Sequence, residues 1–161
     1  MLFRSAIRVP FPVTGLSWRK FDGGGHRWSS HATSAQLRYL TPVIIRSLDR
    51  LRIDPEAVLK SSLRRVAALS PWMGFALQAD AVPLNEAIGH LRFALDIHPE
   101  QWVRTSRRTP GEPIKTYGFG GAMRISGNLD PIMPYLTLGE FGSIGGECAS
   151  GFGAYTMAAY P

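Results

Sequence analysis

The sequence predicts an α+β fold of ferredoxin-like order, β-α-β-β-α-β, with one extra helix before the second strand. Three features point to it. Asp54-Pro55-Glu56 writes a helix start, and apolar residues then recur at helical spacing. Two strand-like runs, 102–106 and 118–126, flank a turn containing proline and glycine. A short apolar helix then leads through a glycine-packed loop into a last strand. The 161 residues fit one domain, or one domain and an incomplete second. The expected division is an N-terminal extension or partial preceding domain over 1–33 and the ferredoxin-like domain over 34–161.

Residues 1–13 alternate basic and apolar side chains and read as a strand closed by Pro10 and Pro12. Residues 14–33 hold three successive glycines among serines and histidines, which reads as a loop. Gln36–Ile45 is rich in β-branched and aromatic residues and predicts a strand bent at Pro42. In the helix after it, Asp54 is the N-cap, Pro55 the first helical residue, and Val58, Leu59, Leu63 and Val66 the buried stripe. Pro71 and Gly74 end or kink it. Pro83–Leu95 repeats the helical pattern through Leu84, Ile88, Leu91 and Leu95, with His90 on that helix and His98 expected in a turn. The two strand-like runs then form a hairpin with a basic loop. Asp130-Pro131 reads as a cap and first-turn proline for a helix over 131–141, and 152–158 is the last strand.

Composition narrows the function classes. Net charge is +6, and fifteen of the eighteen basic residues are arginine, the exceptions being Lys20, Lys60 and Lys115. Guanidinium forks bind phosphate bidentately and stack on bases, so an arginine-biased basic chain favours a nucleic-acid partner. The single Cys148 excludes an internal disulfide and a cysteine-based zinc site, and suits a reducing, cytoplasmic setting. The first residues carry charges inside their apolar run and do not read as a secretory signal. The most apolar stretch, 67–84, is interrupted by Pro71, Gln78, Asp80 and Pro83, so no membrane partner is expected.

Six glycines lie between Gly139 and Gly153. Glycine lets backbone approach a phosphate or another backbone closely, so the loop either packs on RNA or makes tight turns between helix and strand. It matches neither a dinucleotide fingerprint nor a P-loop. The hairpin offers Arg104, Arg107, Arg108 and Lys115 as phosphate partners, with Trp102 and Tyr117 as stacking surfaces. A solvated hairpin loop is the plainer alternative.

The wording of these segments resembles a known family. The segments are L-R-Y-L-T-P-V-I-I-R (37–46), W-V-R-T-S-R-R (102–108), G-F-G-G-A-M-R-I-S-G-N-L (118–129), L-T-L-G-E-F (136–141) and G-G-E-C-A-S-G-F-G-A-Y (145–155). In this order they resemble the C-terminal domain of the RAMP-superfamily endoribonucleases that process precursor CRISPR RNA. The resemblance implies a RAMP/RRM-type ferredoxin-like domain that needs no cofactor. It implies CRISPR repeat RNA as partner, with other CRISPR effector subunits beside it. It also implies RNA contact by Arg38, Arg104, Arg107, Arg108, Lys115, Gly145, Gly146, Gly151 and Gly153. Such proteins usually carry two ferredoxin-like domains, with the catalytic histidine in the first. Their glycine loop often carries a basic residue where this chain has Glu147.

Metal-free RNA cleavage needs a base for the 2′-hydroxyl, an acid for the leaving 5′-oxygen and a cation over the phosphorane. His26 and His31, beside Lys20 and Arg27, offer all three types, and the sequence does not choose between the two histidines. As metal ligands the pair lacks carboxylate support, and no metal is expected. The expected activity is metal-independent endoribonucleolytic cleavage leaving a cyclic phosphate. The alternatives are a non-catalytic RNA-binding subunit and a protein-interaction domain.

Overall fold

The computed structural model describes residues 32–45, 53–73, 77, 82–105 and 113–161. The expected strand within 1–13 and the glycine loop within 14–33 lie outside them, apart from Ala32 and Thr33. Ala32 is buried, and the Thr33 amide donates to the Tyr160 carbonyl, so the sheet begins to form there.

The elements follow in the expected order: β1 (Ser34–Tyr39), α1 (Pro55–Leu69), α2 (Val82–Gly89), β2 (Arg92–Thr105), β3 (Pro113–Ser126), α3 (Met133–Gly142) and β4 (Tyr155–Tyr160). The four strands form one sheet in the order β2-β3-β1-β4, with every neighbouring pair antiparallel. Alternation decides its faces. Ala35, Leu37 and Tyr39 of β1, Met123 and Ile125 of β3, and Tyr155 and Met157 of β4 are buried. They form one core with Val58, Leu59, Leu63 and Val66 of α1 and Tyr135, Leu136 and Leu138 of α3. The residues between them, Arg38, Arg124, Thr156 and Ala158, are exposed on the other face.

Helix α1 starts as its sequence dictates. The Asp54 carboxylate accepts the Glu56 amide at 3.0 Å, Pro55 occupies the first turn, and Glu56 pairs with Lys60 at 3.0 Å. The cap is worth about 1 kcal/mol, and the partly exposed pair a few tenths. Helix α3 is tied to both neighbours. Arg65 of α1 donates from Nε to the Gly142 carbonyl, the buried Tyr155 hydroxyl donates to the Leu136 carbonyl, and Glu140 accepts the Met157 amide at 2.6 Å.

Several boundaries differ from expectation. The helix expected over 83–95 ends at Gly89, and β2 begins at Arg92, ten residues before the expected strand. Leu84 and Ile88 are buried on α2, whereas Leu95 belongs to β2, where it is 41% exposed. His90 is an exposed turn residue, and His98 stands in mid-strand. Pro99 is tolerated there because β2 is an edge strand. Its partner Phe119 exchanges both backbone hydrogen bonds with Val43, so the missing Pro99 amide removes no rung of the ladder. Strand β1 ends at Tyr39 rather than Ile45, and Val43 makes an isolated bridge to Phe119. Asp130 does not cap α3. The cap position is Ile132 with no side-chain bond, the first-turn proline is Pro134, and Asn128 accepts the Asp130 amide instead. The last strand runs over 155–160 rather than 152–158.

Candidate nucleic-acid interface

The face of the sheet away from the helices is where side chains meet solvent. Arg38 of β1 lies between Ala122 of β3 and Thr156 of β4. Arg124 of β3 lies between Gln36 of β1 and Ala94 of β2. Arg92 opens β2 on the same face. All three arginines are exposed, and Asp96, Glu100 and His98 share their face along β2. Such a floor suits phosphates crossing the strands. Arg92 and Arg124 were not among the expected contacts. Arg124 was legible from the alternation Met123-Arg124-Ile125, which sends every second residue outward.

The β2–β3 arm separates residues that the sequence groups together. Trp102 faces Thr116 on the open side, whereas Tyr117 and Lys115 face Gln101 and Val103 on the other side. Trp102, 46% exposed, is held at both ends. Its Nε1–H donates to Glu100 Oε2 at 3.2 Å, and its ring meets Phe152 edge-on at 5.4 Å between centroids. Arg104 pairs by backbone with Ile114, while Arg107 and Arg108 lie outside the described residues.

The glycine loop is zipped to the segment after β1. The Gly146 amide donates to the Ile44 carbonyl at 2.7 Å, the Gly153 amide to Pro42 at 3.0 Å, and the Ile144 amide to Gly153 at 2.8 Å. A side chain fits at neither Gly145 nor Gly153. Both have positive φ, and a Cβ would lie 2.4 Å from the Ile44 carbonyl oxygen and 1.8 Å from that of Ile144. Gly151 closes a one-turn 3-10 helix, its amide donating to Cys148, with open space around it. Three of the four glycines expected at RNA therefore spend their amides within the chain. The Cys148 thiol donates to the Gly145 carbonyl, and burial pushes its pKa up, against the opposing pull of Arg65.

His26, His31, Lys20 and Arg27 lie outside the described residues. Among the described residues, no cluster of three metal-ligating side chains occurs. No described helix is long and apolar enough to cross a membrane.

A four-stranded antiparallel sheet with helices on one face and arginines on the other defines a ferredoxin-like domain with a basic open face. The family described as CRISPR-associated endoribonuclease Cas6 matches residues 37–155, and the chain belongs to that family. Among solved structures, Thermus thermophilus Cas6 is similar at 20% identity and a TM-score of 0.60, covering 80% of this chain and 54% of its own. A second Cas6, in a product complex, is similar at 18% identity and a TM-score of 0.53, covering 89% and 56%. A chain of a partial Cas6-RT-Cas1–Cas2 complex is similar at 15% and 0.52, covering 91% and 25%. These likenesses establish the fold, and the chain spans about half the length of the two Cas6 structures. No curated protein sequence matches it.

Proposed function

We propose that the chain binds CRISPR repeat RNA and cuts its precursor without a metal, in the cytoplasm. Family membership over residues 37–155 is the observation that carries this reading. The arginine-bearing open face and the net charge of +6 support the RNA partner. In the proposed step His26 or His31 takes the 2′-hydroxyl proton, and the 2′-oxygen attacks the adjacent phosphorus. The bond from phosphorus to the 5′-oxygen breaks, and the other histidine or a water protonates that oxygen. Lys20 or Arg27 offsets the charge on the phosphorane. The products are a 2′,3′-cyclic phosphate and a free 5′-hydroxyl. On this reading 34–161 is the RAMP-type RNA-binding domain and 1–33 supplies the chemistry.

A second reading is a non-catalytic RNA-binding subunit working with other CRISPR proteins. It is favoured by one observation: both histidines precede the matched segment 37–155. Labelled repeat RNA in EDTA, read for mobility shift and cleavage, decides between them. A metal-independent cut lost in the His26→Ala/His31→Ala double variant supports the endoribonuclease. An undiminished cut removes the histidines from the mechanism, and a shift without a cut supports the binding subunit. Absence of both leaves neither reading standing.

A further inference from the structure

His98, Glu100 and Trp102 stand in a row on the open face of β2, fastened to one another. His98 Nε2 lies 3.0 Å from Glu100 Oε1, and Trp102 Nε1–H donates to Glu100 Oε2 at 3.2 Å. Opposite His98 and Glu100 on β3 are Gly120 and Gly118; the Glu100 carboxylate lies over bare Gly120, while Pro42 and Ile44 pack over Gly118. A Cβ at Gly120 would come within 1.9 Å of Glu100 Oε1. Trp102 is braced by Phe152 yet keeps nearly half its surface in solvent. A large aromatic side chain held this way is prepaid in conformational entropy and available for stacking.

We infer that this row is a preassembled site for one unpaired nucleobase, with a preference for guanine. The inference rests on the reading that the chain binds RNA. A base stacks on Trp102 and turns its Watson–Crick edge toward Glu100. An ionised carboxylate has about four acceptor positions, and His98 and Trp102 occupy one on each oxygen. One acceptor remains on each oxygen, matching the adjacent N1–H and N2–H donors of guanine. Adenine and cytosine present one amino donor on that edge. Uracil presents one imino donor flanked by two carbonyl acceptors, which the carboxylate repels.

The test is binding of the full chain to a short oligouridine and to the same oligomer carrying one central guanosine, adenosine or cytidine. The guanosine oligomer is expected to bind about tenfold tighter than oligouridine. Glu100→Gln, which replaces one acceptor by a donor, is expected to abolish that preference, weakening the guanosine oligomer and, by removing the repulsion of uracil carbonyls, tightening oligouridine. Trp102→Ala is expected to weaken every oligomer about tenfold, and Trp102→Phe to retain most of the affinity. Equal wild-type affinity for all four oligomers overturns the site, as does a guanosine preference that survives Glu100→Gln. If repeat RNA binds while the oligomers are not distinguished, the base site alone falls. If no RNA binds at all, the functional reading falls with it.

Discussion

Gly153 and Gly120 sit in two glycine-rich stretches that look alike in sequence and are used in opposite ways. At Gly153 the chain turns with φ +76° and presses against backbone: an added Cβ would lie 1.8 Å from the Ile144 carbonyl oxygen. At Gly120 the strand is regular, and an added Cβ would meet only the mobile ends of Glu100 and His98. The loop spends its glycines on backbone approach and turns its amides inward. In the arm Gly120 leaves room for the Glu100 and His98 side chains, whereas its neighbours Gly118 and Gly121 serve close packing as the loop glycines do. Clusters of glycine in a basic protein are therefore not by themselves a phosphate cradle; the destination of each amide decides.

The largest expected effect follows at Gly153. Gly153→Ala meets an unfavourable φ and immovable backbone together, so it is expected to destabilise the fold by about 3 kcal/mol or more. Urea unfolding checks this. A loss below about 1 kcal/mol would mean that the loop relaxes freely and that its packing on Pro42–Ile44 is not held as described.

Next comes the strand that the loop delivers. Burial raises the Tyr155 and Tyr39 hydroxyl pKa values above the ordinary tyrosine value. Both groups are held neutral in the fold, while in the unfolded chain they ionise near pH 10. Their contribution is complete below about pH 10 and is lost as pH rises from there toward the folded-state values. Tyr155→Phe also removes the bond to the Leu136 carbonyl, a loss of about 1 kcal/mol at neutral pH, but it flattens the alkaline decline. Melting temperature followed from pH 7 to pH 11 checks both, and an unchanged alkaline slope in the variant would remove Tyr155 from the account.

How far the fold was legible can be argued from the same residues. Asp54-Pro55-Glu56 is a local signal, decided within one turn, and α1 begins where it says. The stretch 91–100 is not local. Leu91 and Leu95 continue the three- and four-residue helical spacing begun by Leu84 and Ile88, and Pro99 reads as a breaker, so the sequence favours helix and then turn. The sheet overrides both, because β2 is an edge strand and can absorb a proline without losing a hydrogen bond. The row His98-Glu100-Trp102 was hidden for the same cause, since its members share a face only once that stretch is read with period two. Arg38 and Arg124 needed only the alternation within their own strands.

The open face gives a smaller effect on stability and a distinct one on binding. Arg38 and Arg124 are exposed, so replacing either by alanine is expected to change unfolding free energy by no more than about 0.5 kcal/mol. If they meet phosphate, each variant weakens repeat-RNA binding and lowers the salt slope by about one unit. A salt dependence identical to wild type in both variants would move the RNA off this face.

Gly120→Ala closes the comparison with the smallest expected stability change. It is the same chemical edit as Gly153→Ala, one methyl group, and the close approach it creates is nearly as short. The difference lies in what must move. The Ile144 carbonyl is anchored in the loop, whereas the Glu100 carboxylate swings aside by side-chain rotation at a cost of about 0.5 kcal/mol or less. That rotation breaks the bonds from His98 and Trp102 to Glu100, so the variant is expected to unfold like wild type and yet lose the guanosine preference. Stability and base selectivity measured on the same preparation check it. A large loss of stability would mean that Gly120 is a structural glycine like Gly153. An intact preference would mean that the Glu100 carboxylate does not need its place over the glycine floor.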